Sequence, residues 1–268
     1  MSVSSPELSA LYAVLAGVAP SARTACTEWT GHDVLAHLAA GAKERADLIE
    51  EKLAGLPERA TRPFAERQAP FLALPDDELR TALVRETRRF EAAAAALARR
   101  DERATIAFSG ARFTAAQLAM HQRSEAVLHG WDLVGDSEIG DALLAQPELT
   151  EHAVMVLNAL QRVLGESPTA RVRQAGVSAL RIILRSPGHA DVILEAVAGE
   201  GRFELSEPGP VEGDALVTTD AAQRFLIMWG RRPSTRPITI EAKTITRQTV
   251  ESVLWPAAIP WPGGGSAA

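Results

Sequence analysis

The hydrophobic period of the sequence changes near residue 150, and this change limits the folds that the chain can adopt. Before that point, apolar residues recur every three to four positions, as they do on one face of an α-helix. After it, short segments alternate apolar with polar residues and are rich in β-branched side chains, which is typical of strands. We therefore expect an α+β protein in which a helical N-terminal domain precedes a smaller α/β domain.

The first part of the chain contains four segments with helical periodicity. Helix-start signals precede them at Ser5–Pro6, Thr30 with Asp33, Asp76–Asp77, and Thr114 with Gln117. Four helices of this kind favour an antiparallel bundle. Between the second and third helices the sequence contains Pro57, Pro63, Pro70 and Pro75, which predict a long irregular loop because proline cannot continue a helix or donate a backbone hydrogen bond.

The second part reads as a small α+β domain. A helix is predicted over residues 151–164 and another from the cap at Asp220 to Gly230. Strands are predicted over residues 177–185, 192–197, 202–206, 215–218 and 237–242. The last residues, 263–268, are small and are expected to form a flexible tail. The predicted domains are therefore residues 1–146 and 147–262, followed by the tail.

Charge and cysteine content exclude several classes of protein. The net charge of -6 argues against a nucleic-acid partner, because binding to phosphates requires a basic surface. Cys26 is the single cysteine, so the chain has no internal disulfide and no zinc site built from several cysteines. No apolar run approaches the ~18 residues of a membrane helix. We expect a soluble cytoplasmic protein without a membrane partner, either a monomer or a homodimer.

The fourth predicted helix contains His121, Glu125 and His129 at four-residue intervals. With about 100° between successive residues, these three side chains share one face with Leu118 and Leu128, so that face should point inward. A buried carboxylate and imidazole pair need a compensating charge, and a divalent cation supplies one. Glu125 and His129 are placed one turn apart, as two ligands of one ion should be.

His37 is the candidate for a third ligand from a neighbouring helix. It lies at the edge of the apolar stripe of the second helix, at a distance from its cap that could bring it level with the other two residues. Two histidines and one carboxylate leave a coordination position open, which is the arrangement of catalytic rather than structural metal sites.

Simpler explanations exist for each of these residues. The pattern of a glutamate and a histidine four residues apart is common on exposed helices, and a single buried histidine is more often a hydrogen-bonded core residue than a ligand. His121 is expected to line the pocket rather than to bind the ion. Cys26 is expected to be a small buried hydrophobe, since no neighbour in the sequence activates its thiol.

Residues 29–38 and 125–133 also resemble the two signatures of a known family. They match the patterns W-x-x-x-D-V-L-x-H-L and E-x-x-x-H-x-W-D-L of the DinB-like, mycothiol-dependent maleylpyruvate isomerase family. Residues 228–231 are similar to the W-G-R motif of that family's second domain, which has a sterol-carrier-protein-like fold. The resemblance implies a metal site, usually zinc, at His37, Glu125 and His129.

The resemblance further implies that mycothiol is bound between the domains with its sulfur on the metal. Coordination of a thiol to a dication removes its proton and produces a nucleophile. We assign His121 and Arg231 to catalysis, with Arg231 orienting a substrate carboxylate or, alternatively, only interacting with the dipole of its helix. Trp29 and Trp131 are expected to be packing anchors, and Trp131, together with Arg231, is also assigned to cofactor binding.

Three functions are compatible with these features. The first is a metal- and mycothiol-dependent isomerase or S-transferase that acts on a small electrophilic metabolite. The second is a hydrolase or lyase in which metal-bound water replaces the thiol. The third is a non-catalytic protein that binds a small molecule and whose metal only stabilises the bundle. The open coordination position argues against the third.

Overall fold

The structure is a computed structural model that describes residues 5–26, 29–160, 168–174, 179–197, 199–210, 212–231 and 236–255. The chain divides into two compact units, Met1–Val134 and Gly135–Ala268. The first is mainly helical and the second contains the larger sheet, so the predicted α+β class is confirmed. No helix in the described part of the chain combines the length and the apolar character needed to cross a bilayer.

The first unit is a helical bundle with one β-hairpin. Its elements are α1 (Pro6–Gly17), α2 (Gly31–Leu53), α3 (Phe64–Leu72), α4 (Asp76–Arg100), β1 (Thr105–Phe108), β2 (Ala111–Thr114) and α5 (Ala115–Val134). Helices α1, α2, α4 and α5 are the four that the periodicity predicts. Their apolar faces meet in one core, which includes Leu11, Leu35 and Leu83, all nearly inaccessible to solvent.

Helix starts in the bundle coincide with the predicted caps. The Ser5 side chain accepts a hydrogen bond from the backbone N–H of Leu8, and Thr30 and Asp33 form a reciprocal capping box. These contacts satisfy backbone donors that have no partner within the helix. They also fix where α2 begins, and therefore which of its residues face α5.

The prediction of a long loop between α2 and α4 is wrong in part, because this segment contains helix α3. Pro63 and Pro75 lie just before α3 and α4, at their N-caps, where proline is tolerated. Pro70 lies inside α3 and removes one helical hydrogen bond. The helix is held against α2 by burial of Phe71 and by a hydrogen bond from Gln68 Nε2 to the carbonyl of Asp33. Tertiary contacts therefore outweigh the local effect of proline.

The hairpin β1–β2 was not predicted. Ser109 and Gly110 form its two-residue turn with φ angles of 52° and 86°. Positive φ at both positions matches the right-handed twist of the strands, and glycine adopts such angles without strain. The hairpin places the Phe108 ring against the inner face of α5.

The second unit contains a mixed sheet and several helices. Its elements are α6 (Glu138–Leu144), α7 (Pro147–Ala159), α8 (Pro168–Gln174), β3 (Ala179–Arg185), β4 (Asp191–Val197), β5 (Glu200–Ser206), β6 (Ala215–Thr218), α9 (Ala221–Met228), β7 (Thr239–Ala242) and α10 (Arg247–Leu254). In the described residues, the strand order is β5-β4-β3-β6-β7, with β3 and β6 parallel and the other neighbours antiparallel.

Each predicted strand of the second unit has a counterpart in the sheet. The Asp220 side chain caps α9 by accepting from the backbone N–H of Gln223, as predicted. Helix α7 begins at Pro147, earlier than expected, while α10 was not predicted. Helix α6, which lies between the end of the first unit at Val134 and the predicted boundary at residue 146, packs against α9. The predicted flexible tail lies outside the described residues.

Candidate metal centre

Helix α5 carries the three side chains on which the metal prediction rests. The start of α5 is fixed by a reciprocal contact, in which the backbone N–H of Thr114 donates to Gln117 Oε1 (2.8 Å) and that of Gln117 donates to Thr114 Oγ1 (3.2 Å). From this start, Glu125 and His129 face the interior of the bundle, and only 4% of the His129 surface remains exposed.

His37 of α2 meets these two residues inside the bundle. Its Nε2 lies 3.0 Å from Glu125 Oε2, and the same oxygen lies 3.8 Å from Nε2 of His129. One ligand atom from each of the three residues lies within 4.8 Å of the other two. The two helices therefore bring together a set of two imidazoles and one carboxylate.

Asp132 extends the site on the far side of the His129 ring. Its Oδ2 lies 2.9 Å from His129 Nδ1 and accepts a hydrogen bond of 3.0 Å from the Cys26 thiol. Cys26, His129 and Asp132 thus make a second group with ligand atoms close enough to share an ion. The two groups use opposite nitrogens of the same imidazole. If Nε2 binds an ion, Asp132 is placed to hold the ring through Nδ1.

Burial and neighbouring charges set the protonation of the site. Burial alone would raise the pKa of Glu125, but the imidazoles of His121, His37 and His129 hold it well below its usual value. Burial lowers the pKa of His37 despite its hydrogen bond with Glu125. Burial would also lower the pKa of His129, but hydrogen bonds with Asp132 and Cys26 raise it to about 10. At neutral pH, Glu125 is therefore ionised, His37 is neutral, and His129 is protonated in the metal-free protein.

Aromatic rings cover one side of the cluster. The Trp29 ring centroid lies 5.1 Å from that of His37 and 6.2 Å from that of His129. Phe64, from α3, stacks on Trp29 at 6.0 Å and lies 5.4 Å from the His37 ring. The helix that replaces the predicted loop therefore contributes directly to the wall of the site. These rings limit the access of water and strengthen electrostatic interactions inside.

His121 lies one turn before Glu125 and is partly buried. Its ring meets the Phe108 ring edge-on at 6.0 Å, and burial lowers its pKa to about 4. It is therefore neutral at pH 7. His121 does not belong to either group with ligand spacing that the described residues contain.

The remaining predicted residues lie in different surroundings. Trp131 is buried on α5, with 5% of its surface exposed. Arg231 follows α9 in the second unit, where its Nη1 donates to the carbonyl of Trp229 at 3.1 Å. This contact lies beside the end of α9 and is the kind expected if Arg231 only interacts with the dipole of that helix.

Sequence reasoning missed two features of the site. Cys26 has no activating neighbour in the sequence but contacts Asp132, which lies 106 residues later. Asp132 shares a helical face with Glu125 and His129, so the helical spacing indicates that it lies near them. The spacing does not indicate its contact with Cys26. Phe64 carried no signal, because it falls in the segment that the prolines marked as a loop.

The protein is thus a helical bundle whose packed helices supply a cluster of two histidines and one glutamate, followed by a mixed α+β unit. Residues 4–134 match the family model of the mycothiol maleylpyruvate isomerase N-terminal domain. Over these residues, the resemblance inferred from the two signatures is confirmed.

Solved structures extend the likeness beyond the first unit. A crystal structure of mycothiol-dependent maleylpyruvate isomerase is 18% identical with a TM-score of 0.59, and the match covers 87% of this chain and 88% of that one. A mutant of the mycothiol-dependent maleylpyruvate isomerase matches with the same TM-score and coverage at 17% identity. At such identities the likeness establishes the fold. No curated protein sequence matches the chain.

Proposed function

We propose that this protein is a metal-dependent enzyme that uses mycothiol and acts on a small electrophilic metabolite as an isomerase or S-transferase. The observation that carries the proposal is the convergence of His37, Glu125 and His129 within 4.8 Å, inside a domain that matches the isomerase family. We place the activity in the cytoplasm, where a small thiol stays reduced, and expect a monomer or homodimer.

The residues of the cluster fit a divalent ion, and zinc in particular. Imidazole nitrogen and carboxylate oxygen are both zinc ligands, and three protein ligands leave a position for an exogenous group. Glu125 is ionised and His37 is neutral at pH 7, which are the states that coordination requires. The protonated His129 has to lose one proton. In the second group, the Cys26 thiol is already engaged, because it donates a hydrogen bond to the Asp132 carboxylate.

Zinc held by these three residues would lower the pKa of a bound thiol, so that the thiol is a nucleophile at neutral pH. The chain's own residues prepare the site for this chemistry. Asp132 holds the His129 ring through Nδ1, so that Nε2 points towards Glu125. Trp29 and Phe64 shield the imidazoles from bulk water. His121, neutral at pH 7, can accept a proton from a reacting group.

Arg231 and Trp131 complete the proposal. A guanidinium matches a carboxylate with two parallel hydrogen bonds, so Arg231 would orient an acidic substrate. Trp131 would contact the cofactor. The test of both roles is a kinetic comparison of Arg231→Gln and Trp131→Phe with the unmodified enzyme, in which Arg231→Gln should raise KM for an acidic substrate and Trp131→Phe should raise KM for mycothiol.

Thermal unfolding of the zinc-loaded protein with added mycothiol tests the main proposal. A ligand that binds only the folded state stabilises it by about 2.7 kcal/mol at a hundredfold excess over Kd, which raises Tm by several degrees. N-acetylcysteine, a thiol without the sugar, serves as the control and should protect less. Glu125→Gln should abolish the protection by mycothiol. Absence of a shift at saturating mycothiol would favour metal-bound water as the nucleophile and a hydrolase or lyase.

A further inference from the structure

Two arginines approach the same aromatic ring beside the candidate metal centre. The Cζ atoms of Arg45, from α2, and Arg67, from α3, each lie 5.9 Å from the centroid of the Phe108 ring. The same ring meets His121 at 6.0 Å. Both guanidinium groups thus lie beside one ring, and the charge of Arg67 acts on Arg45.

Arg45 is almost completely buried and incompletely paired. Only 2% of its surface is exposed, and its guanidinium donates through Nη2 to Gln122 Oε1 and lies over the Phe90 ring. Its Nε has no hydrogen-bond partner among the described residues. Burial lowers the pKa of Arg45 to about 10, so the group remains charged at neutral pH. A buried donor without an acceptor is costly, and a ligand that supplies an acceptor removes that cost.

Arg67 is partly buried, and within the described parts of the chain its guanidinium makes no hydrogen bond or ion pair. It stacks near the Phe64 ring at 5.6 Å, and Phe64 in turn lies 5.4 Å from the His37 ring. The Phe64 ring therefore lies close to both Arg67 and His37, a residue of the candidate metal centre.

Three other arginines that approach α2 are paired with its carboxylates. Arg59 and Arg62 both pair with Glu44, and Arg89 pairs with Asp47 and Glu50. Glu44 also attracts Arg67 at longer range, but its oxygens are already engaged with Arg59 and Arg62.

Within the described residues, Glu125 is the one carboxylate whose charge acts on both Arg45 and Arg67. Two cations therefore face one anion, and a divalent ion bound by that anion would increase the excess of positive charge. An anionic ligand would reduce it.

We propose that Arg45 and Arg67 form an anion subsite in the first unit that binds a carboxylate of an electrophilic substrate beside the metal centre, in addition to the acidic group that Arg231 would orient. The inference rests on the proposed function, because that function supplies the electrophilic substrate. Guanidinium groups bind a carboxylate with two parallel hydrogen bonds, and the surrounding rings strengthen these bonds by excluding water. A neutral substrate of the same shape leaves both cations unpaired, so the subsite selects acids over their amides.

Crotonate and crotonamide are suitable probes, because they have nearly the same shape and differ in charge. Their binding to the zinc-loaded protein, without thiol, is measured by ligand-observed NMR titration for the unmodified chain and for Arg67→Gln. Arg112→Gln is the matched control, since it removes the same charge from an exposed residue that pairs with Glu58. Crotonate should bind about tenfold more weakly to Arg67→Gln and within about twofold of normal to Arg112→Gln. Crotonamide should bind weakly and equally to all three proteins.

Equal binding of crotonate to Arg67→Gln and to the unmodified protein would overturn the subsite. Equal weakening in Arg67→Gln and Arg112→Gln would overturn it too, because only the net charge would then matter. Arg45 is buried, so its replacement endangers the fold. Arg45→Lys, checked by circular dichroism, keeps the charge without the planar fork and should weaken crotonate binding while leaving crotonamide unaffected.

The zinc-free protein separates this inference from the proposed function. It should keep its preference for crotonate over crotonamide. A preference that requires zinc and ignores Arg67→Gln would place the carboxylate on the ion and overturn the subsite, even if mycothiol protects the protein. Conversely, failure of mycothiol to protect the unmodified protein, with the Arg67-dependent preference intact, would remove the thiol proposal and leave the subsite standing.

Discussion

His129 and Asp132 are joined by a contact of 2.9 Å between Nδ1 and Oδ2, while the opposite nitrogen of the same imidazole faces Glu125 at 3.8 Å. One ring therefore connects a buried carboxylate to the candidate metal centre. This arrangement fixes the rotation of the imidazole and makes Nδ1 the hydrogen-bond donor, so that Nε2 is available for an ion.

We expect one equivalent of zinc per chain, bound by His37, Glu125 and His129. Replacing any of the three with alanine removes a ligand and should abolish stoichiometric binding, whereas His121→Ala should retain the metal. Elemental analysis of the purified variants measures this directly. Retention of a full equivalent in Glu125→Ala would contradict the assignment.

Two variants distinguish the two possible ligand groups. Asp132→Asn keeps the shape of the side chain but weakens its hold on His129, so zinc affinity should fall about 10- to 100-fold. Cys26→Ala should leave the zinc content unchanged, because the thiol contacts Asp132 and not the proposed ion. Competition with a chromophoric chelator gives both affinities. Loss of zinc in Cys26→Ala would instead support the group formed by Cys26, His129 and Asp132.

Zinc binding should release about one proton per ion at pH 7. The pKa of His129 in the metal-free protein is raised to about 10, so this ring must lose a proton before it coordinates, while His37 and Glu125 need not. Apparent affinity should therefore rise about tenfold per pH unit between pH 7 and 9. Calorimetry in buffers of different ionisation enthalpy counts the released protons. In His37→Ala, any residual binding should still release a proton, whereas in His129→Ala it should not.

His121 should make the metal-free protein sensitive to acid. Its pKa falls from 6.5 in the unfolded chain to about 4 in the folded one, so the unfolded state binds more protons between these values. Stability from this group is complete above pH 6.5 and is lost as pH falls towards 4, with a slope of up to about 1.4 kcal/mol per pH unit. Urea unfolding across this range should show a shallower loss in His121→Asn. Parallel curves for the two proteins would show that His121 titrates normally.

Glu44 should anchor the segment that leads into α3. Its side chain is fully buried and pairs with Arg59 and Arg62, which precede that helix. Glu44→Gln should reduce the free energy of unfolding by about 2 kcal/mol, less than for a wholly buried pair because both arginines reach solvent. Glu58→Gln, which removes an exposed partner of Arg112, is the control and should unfold at the same urea concentration as the unmodified chain.

Sequence patterns were sufficient for the elements whose stability is local. The caps at Thr30 and Asp220 lie where the short-range pattern places them, because the bonds involved span three residues. The same patterns failed for α3 and for the β1–β2 hairpin. Helix α3 depends on Phe71 and Gln68 packing against α2, and a propensity argument about Pro70 cannot include those contacts.

Patterns in the sequence establish the α+β class, the inward face of α5 and the residue types available for a metal, because helical geometry fixes which side chains share a face. The packing of the helices establishes that Nε2 of His37 meets Glu125, that Asp132 and Cys26 lie behind His129, and that Arg45 and Arg67 both approach Phe108. These contacts join residues that are far apart in the chain, and their distances depend on how helices pack rather than on the order of residues.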